Sequence, residues 1–121
     1  MLYLDVVGKG HRRLCKRVVE WFKGKYLPRH HLDLYVVHRG LKREGVTGWC
    51  MPSENTSRPR SFLIEIHNEL MGDEYIKALL HELWHVHQYL KGILSETEAQ
   101  LAEESLYEEF VAEIDNHSKI V

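Results

Sequence analysis

The residues with the most explicit chemistry are His81-Glu82-Leu83-Trp84-His85. Histidines four apart stand one above the other on one face of an α-helix, so both imidazoles can reach a single metal ion. Glu82, one residue on from the first histidine, is rotated to reach a water on that ion. Zinc at a site with an open position lowers the pKa of its water towards neutrality and polarises a carbonyl. The glutamate takes the proton and passes it to the leaving amine. A bare H-E-x-x-H is short enough to arise by chance on a solvated amphipathic helix. Here Leu79, Leu80, Leu83, Trp84 and Val86 surround it, as a buried catalytic helix requires, and the metal-site reading is the stronger one.

The elements that must position this motif follow from periodicity. Residues 2–7 (LYLDVV) read as a short strand ended by Gly8. Between Lys9 and Tyr26, Leu14, Val18, Trp21 and Phe22 recur at helical spacing, with Arg12, Arg13, Lys16, Arg17 and Lys23 on the other face. Pro28 stops this basic helix, and a second strand is expected at 32–38. A third at 46–51 should pair with it as a hairpin around Gly40 and Gly45. Residues 52–60 read as a surface loop and 61–67 as a fourth strand. Asp73 and Glu74 open the motif helix, which runs to Gly92; Ser95 and Glu98 form a capping box for a last helix, its antiparallel neighbour. The expectation is one α+β domain over 1–121, in the order β-α-β-β-β-α-α: a small mixed sheet of three to four strands packed on the motif helix and an antiparallel C-terminal helix.

Composition agrees with a folded domain and excludes a disordered or collagen-like chain: of 121 residues, 44% are hydrophobic and 28% charged. No apolar run approaches the ~18 residues of a membrane span, so no membrane partner is expected. Cys15 and Cys50 make no disulfide framework, which points to a reducing cytoplasm. The net charge of −2 conceals a division. Residues 1–60 carry 13 Lys/Arg against 5 Asp/Glu, and residues 61–121 carry 3 against 13.

The motif, its helix and the acidic helix after it resemble a minimal zincin metallopeptidase of the gluzincin kind, over about residues 61–113. Val86 to Lys91 lack the Gly and His of the metzincin extension, and the SprT-like branch would need a third histidine, for which only His117 remains downstream. Gluzincins instead draw a glutamate from the next helix, close before an Ala; Ser95-Glu96-Thr97-Glu98-Ala99-Gln100 offers that pattern. The resemblance implies a zinc-dependent peptidase with Glu82 as general base and acid, and with Zn2+ on His81, His85 and either Glu96 or Glu98. Pattern favours Glu96; the axial rise of an antiparallel helix favours Glu98 or even Glu103. If Glu96 is the ligand, Gln100 fills the family's place for a residue that orients a zinc histidine. A transition-state donor is implied too, with Tyr89, Tyr107 and His117 as candidates.

Other residues read more plainly. His87 points about 200° round the helix from His85 and is a surface or outer residue; His30, His31, His38 and His67 are ordinary strand or loop residues. Trp49 is expected in the core and Cys50 as a buried thiol. Strand 46–51 or 61–67 could bind an extended peptide by strand addition. The basic helix 9–26 and 39–43 could instead dock nucleic acid, but a solvated face balancing the acidic half is favoured. The competing functions are a SprT-like protease acting on DNA-associated proteins and a non-catalytic zinc or nucleic-acid module.

Overall fold

A computed structural model describes residues 1–8, 10–56 and 59–120, with 115–120 as helical backbone only. Strand β1 (Leu2–Val7), helix α1 (Arg12–Tyr26), strands β2 (Leu32–Arg39), β3 (Gly48–Pro52) and β4 (Ser61–His67), then helices α2 (Gly72–Lys91) and α3 (Glu96–Ile120) follow in the expected order. Lys9, the expected start of the first helix, lies outside the described residues, as do Ser57 and Arg58 of the 52–60 loop.

The four strands form one mixed sheet in the order β1-β2-β4-β3, with β1, β2 and β4 parallel and β3 antiparallel to β4. The expected hairpin between 32–38 and 46–51 is therefore corrected: β3 pairs with β4. The 40–47 connection is no tight turn. It buries Leu41, whose N–H donates to His67 Nδ1 at 3.0 Å, and it carries the chain across the end of β4, where His67 N–H meets Thr47 O. That crossing leaves the inner position beside β2 to β4, whose Phe62, Ile64 and Ile66 are fully buried.

Side chains alternate across the sheet because helices cover one face only. Leu32, Leu34 and Val36 join Phe62, Ile64 and Ile66 in the core, against Val18, Val19 and Phe22 of α1 and Leu79, Leu80, Leu83 and Val86 of α2. Trp49 opposes Glu65 and belongs to the other face, so its expected place in the core is also corrected. Its indole N–H donates to Glu65, and the Arg39 guanidinium lies 5.8 Å from its ring centre. Cys50, on the inner side of β3, is a half-buried free thiol.

α3 runs back along α2, burying Ala99, Leu106 and Phe110. The two charged halves of the sequence meet here. Lys25 of α1 pairs with Glu109 and Glu113 of α3 at 3.0 and 2.8 Å, Tyr26 donates to Glu109, and Trp21 donates to Glu113. Lys23 is buried, donating to Leu27 O at 2.6 Å. Part of the basic helix thus serves internal packing. No described helix is long and apolar enough to cross a membrane.

Candidate metal centre

The motif occupies the middle of α2, where Leu79, Leu80, Leu83 and Val86 fix one side of the helix to the sheet and leave His81 and His85 facing α3. Gly92 ends the helix in the left-handed conformation (φ 82°), and residues 92–95 turn the chain back. Gln88, almost fully buried, pins that turn: its Nε2 donates to Ser95 O at 3.0 Å and its Oε1 accepts from Ser95 N–H at 3.3 Å. Ser95 then caps α3, its Oγ accepting from Glu98 N–H at 3.1 Å.

This brings Glu96, at the first position of α3, to both histidines: Oε1 lies 2.6 Å from His81 Nε2 and Oε2 lies 3.0 Å from His85 Nε2. Among the described residues, His81, His85 and Glu96 form the one group of three whose ligand atoms all lie within 4.8 Å. Glu98, weighed equally with Glu96 from sequence, is not in this group. Two residues further round α3 it faces away, and its backbone N–H serves the cap. Gln88 holds the start of α3 only about one turn beyond His85, so the first glutamate of α3, not one further along, comes level with the histidines.

The far nitrogens are also held. His81 Nδ1 lies 3.0 Å from Glu103 Oε1, and His85 Nδ1 lies 2.9 Å from Gln88 Oε1. Gln88 Oε1 is an acceptor, because the amide nitrogen is spent on Ser95 O, so His85 Nδ1 carries the proton and donates. Glu103 offers His81 Nδ1 an acceptor in the same way. Both Nε2 atoms face the Glu96 carboxylate, and with the Nδ1 atoms donating outward two nitrogen lone pairs and a carboxylate oxygen could hold a cation between them. Gln100, the expected orienting residue, lines the cavity, but Glu103 makes the hydrogen bond. Gln88 went unread in the sequence; a buried amide three residues after the second histidine, on the same face, was its signal.

Glu82 turns away from α3 towards β3. It is 5% exposed, and burial pushes its carboxyl up to about 7; His81 opposes that shift, while Glu96 and Glu103 add to it. Its close neighbour is Gly48, where a Cβ would lie 3.4 Å from Glu82 Cγ and 2.9 Å from Glu65 O and Ile66 Cδ1. The position admits no side chain without displacement.

A cavity of about 890 Å³ opens over these groups, lined by residues 45–50 of β3 and its approach, by His81, Glu82, His85 and Tyr89 of α2, and by Glu96 and Glu103. Of the three donor candidates, Tyr89 lines this cavity. Tyr107 is engaged with Asp73, and the side chain of His117 lies outside the described residues. His87 is half-buried and away from the centre, stacked on Trp84 at 4.5 Å beside Tyr26. His38 is buried between Val7 O and the Tyr75 hydroxyl, His67 accepts from Leu41 N–H, and His31 pairs with Asp33.

Compared with family models, with curated proteins and with solved structures, the chain matches none.

Proposed function

We propose that this chain is a zinc-dependent metallopeptidase of gluzincin type, with His81, His85 and Glu96 as ligands and Glu82 as general base. The observation that carries the reading is the convergence of two imidazole lone pairs and a carboxylate, with both outer nitrogens held by Glu103 and Gln88. Two neutral imidazoles and one carboxylate form a donor set suited to zinc with an open position. Zinc bound there would supply a Lewis acid and a water of lowered pKa.

The chain's own groups do the rest. Glu82, buried on the wall of the cleft one residue from His81, is placed to accept a proton and deliver it to the departing amine. Of the two strands considered for substrate, β4 is paired on both sides, whereas β3 has a free edge and its residues line the cleft. An extended peptide added to that edge would pass over Glu82 with its carbonyl towards the histidines. Tyr89, whose phenol is kept protonated by burial, is the donor within the cleft.

The test is metal content together with digestion of casein or a peptide library by wild type and Glu82→Gln. One zinc per chain, with cleavage lost in Glu82→Gln, supports the peptidase. Metal binding without cleavage of any peptide would favour the non-catalytic module.

A further inference from the structure

A second cavity, of about 620 Å³, lies where the α1–β2 loop, the start of β4 and the end of α2 meet. Arg29, His30, His31, Arg60 and Lys91 line it with Pro59, Tyr89, Leu90 and Gly92, and no carboxylate is among its lining residues. Asp33 pairs with His31 at 3.3 Å. Among the described residues, no carboxylate lies within ion-pair distance of the Arg29, Arg60 or Lys91 side chains. Among the described residues, His30 Nδ1, closed off from solvent, has no hydrogen-bond partner. Three exposed cations with no carboxylate partner among the described residues, gathered around one concavity, form a place for an anion.

The cavity adjoins the cleft over the histidines, with Tyr89 lining both. At ~1.5 Å per residue, Lys91 stands ~9 Å along the helix axis from His85, the span of roughly three residues of an extended peptide at ~3.3 Å each. We infer that this basic cavity is a specificity subsite that receives an acidic side chain of the peptide substrate, roughly three residues from the bond cleaved. The inference rests on the peptidase reading for its substrate, and it gives the basic half of the sequence a role at the site. A concavity of this size admits a side chain and a short backbone stretch, which favours an acidic peptide over a nucleic acid duplex.

The test uses zinc-loaded Glu82→Gln protein and two fluorescein-labelled decapeptides, one with three consecutive Glu and one with Gln in their place, titrated by anisotropy. The expected result is at least about tenfold tighter binding of the Glu peptide at low salt, falling towards the Gln peptide as salt rises. Arg29→Gln/Arg60→Gln in the same background should abolish the preference while leaving the thermal midpoint and zinc content unchanged. Equal affinity for the two peptides, or a preference that survives the double substitution, would overturn the subsite. So would a single-stranded oligonucleotide of equal charge that binds more tightly and displaces the Glu peptide. The two readings fail separately. If the binding preference appears and is lost as described but wild type cleaves neither these peptides nor any of the library, the acidic site stands and the peptidase falls. If wild type cleaves both peptides equally and binding shows no preference, the reverse holds.

Discussion

Replacing Gln88 with Leu tests whether one buried amide both folds the α2–α3 turn and orients a metal ligand. The change keeps the side chain's bulk and removes three hydrogen bonds, two to Ser95 and one to His85 Nδ1. Ser95 O keeps a partner in Ala99 N–H at 3.1 Å, so the loss falls on Ser95 N–H and the imidazole. Leaving such groups short of a partner costs ~1–3 kcal/mol in total once partial rehydration of the half-buried His85 is allowed for. In a chain of this size that lowers the melting midpoint of the metal-free protein by roughly 3–6 °C per kcal/mol. With His85 free to rotate and the start of α3 released, zinc affinity should fall ~10–100-fold, the usual effect of losing an outer partner of a histidine ligand. Competition with a chromophoric chelator reads the affinity, and thermal unfolding in EDTA reads the stability. Gln88→Glu, which keeps an acceptor for His85 and Ser95 N–H, should lose less affinity than Gln88→Leu. The reasoning is refuted if Gln88→Leu lowers stability as expected yet binds zinc within about threefold of wild type, since Gln88 would then be a turn residue only.

Further expectations concern the neighbours of this amide. Glu96→Gln should lose more zinc affinity than Gln88→Leu, while Glu98→Gln leaves affinity unchanged; the reverse order would show the wrong glutamate has been assigned. Gly48→Ala should cost ~1–3 kcal/mol in denaturant unfolding through its contacts with Glu65 O and Ile66, and should lower peptidase turnover with zinc affinity kept within a few-fold. Wild-type turnover in that variant would remove Gly48 from the account. His38 has a pKa below the ordinary histidine value, because burial disfavours its charged form. The unfolded chain therefore binds the proton first, so this contribution to stability is intact above about pH 6.5 and is lost as the pH falls below it. His38→Gln should flatten the fall in melting midpoint between neutral and mildly acid pH; His87, also lowered by burial, adds a slope of the same sign that remains.

The sequence carried the order of elements because each has a strong local signature: the alternation in 61–67, the apolar stripe of α2, and Gly92 as a stop. Strand pairing was not local. It depended on Leu41 and His67 directing a loop across a sheet end, and a hairpin was the natural reading of two strands with glycines between them. Trp49 illustrates the same limit, since an aromatic on a strand reads as core until the uncovered face of the sheet is known. The placement of His81 and His85 on one face of α2, with Glu82 turned away from them, was legible from helical geometry alone. The choice between Glu96 and Glu98 required the depth of the turn, which is set by the Gln88 side chain and not by residue spacing. The cations around His30 were invisible as a group because they come from three separate segments.

The central claim is that His81, His85 and Glu96 hold one zinc ion. An anomalous difference map at the zinc edge, from crystals of the zinc-loaded protein, tests it most directly. A single peak at ~2.0–2.2 Å from His81 Nε2, His85 Nε2 and a Glu96 oxygen is expected. A peak bound through Glu98, a peak away from the two histidines, or no peak at full zinc loading would contradict it.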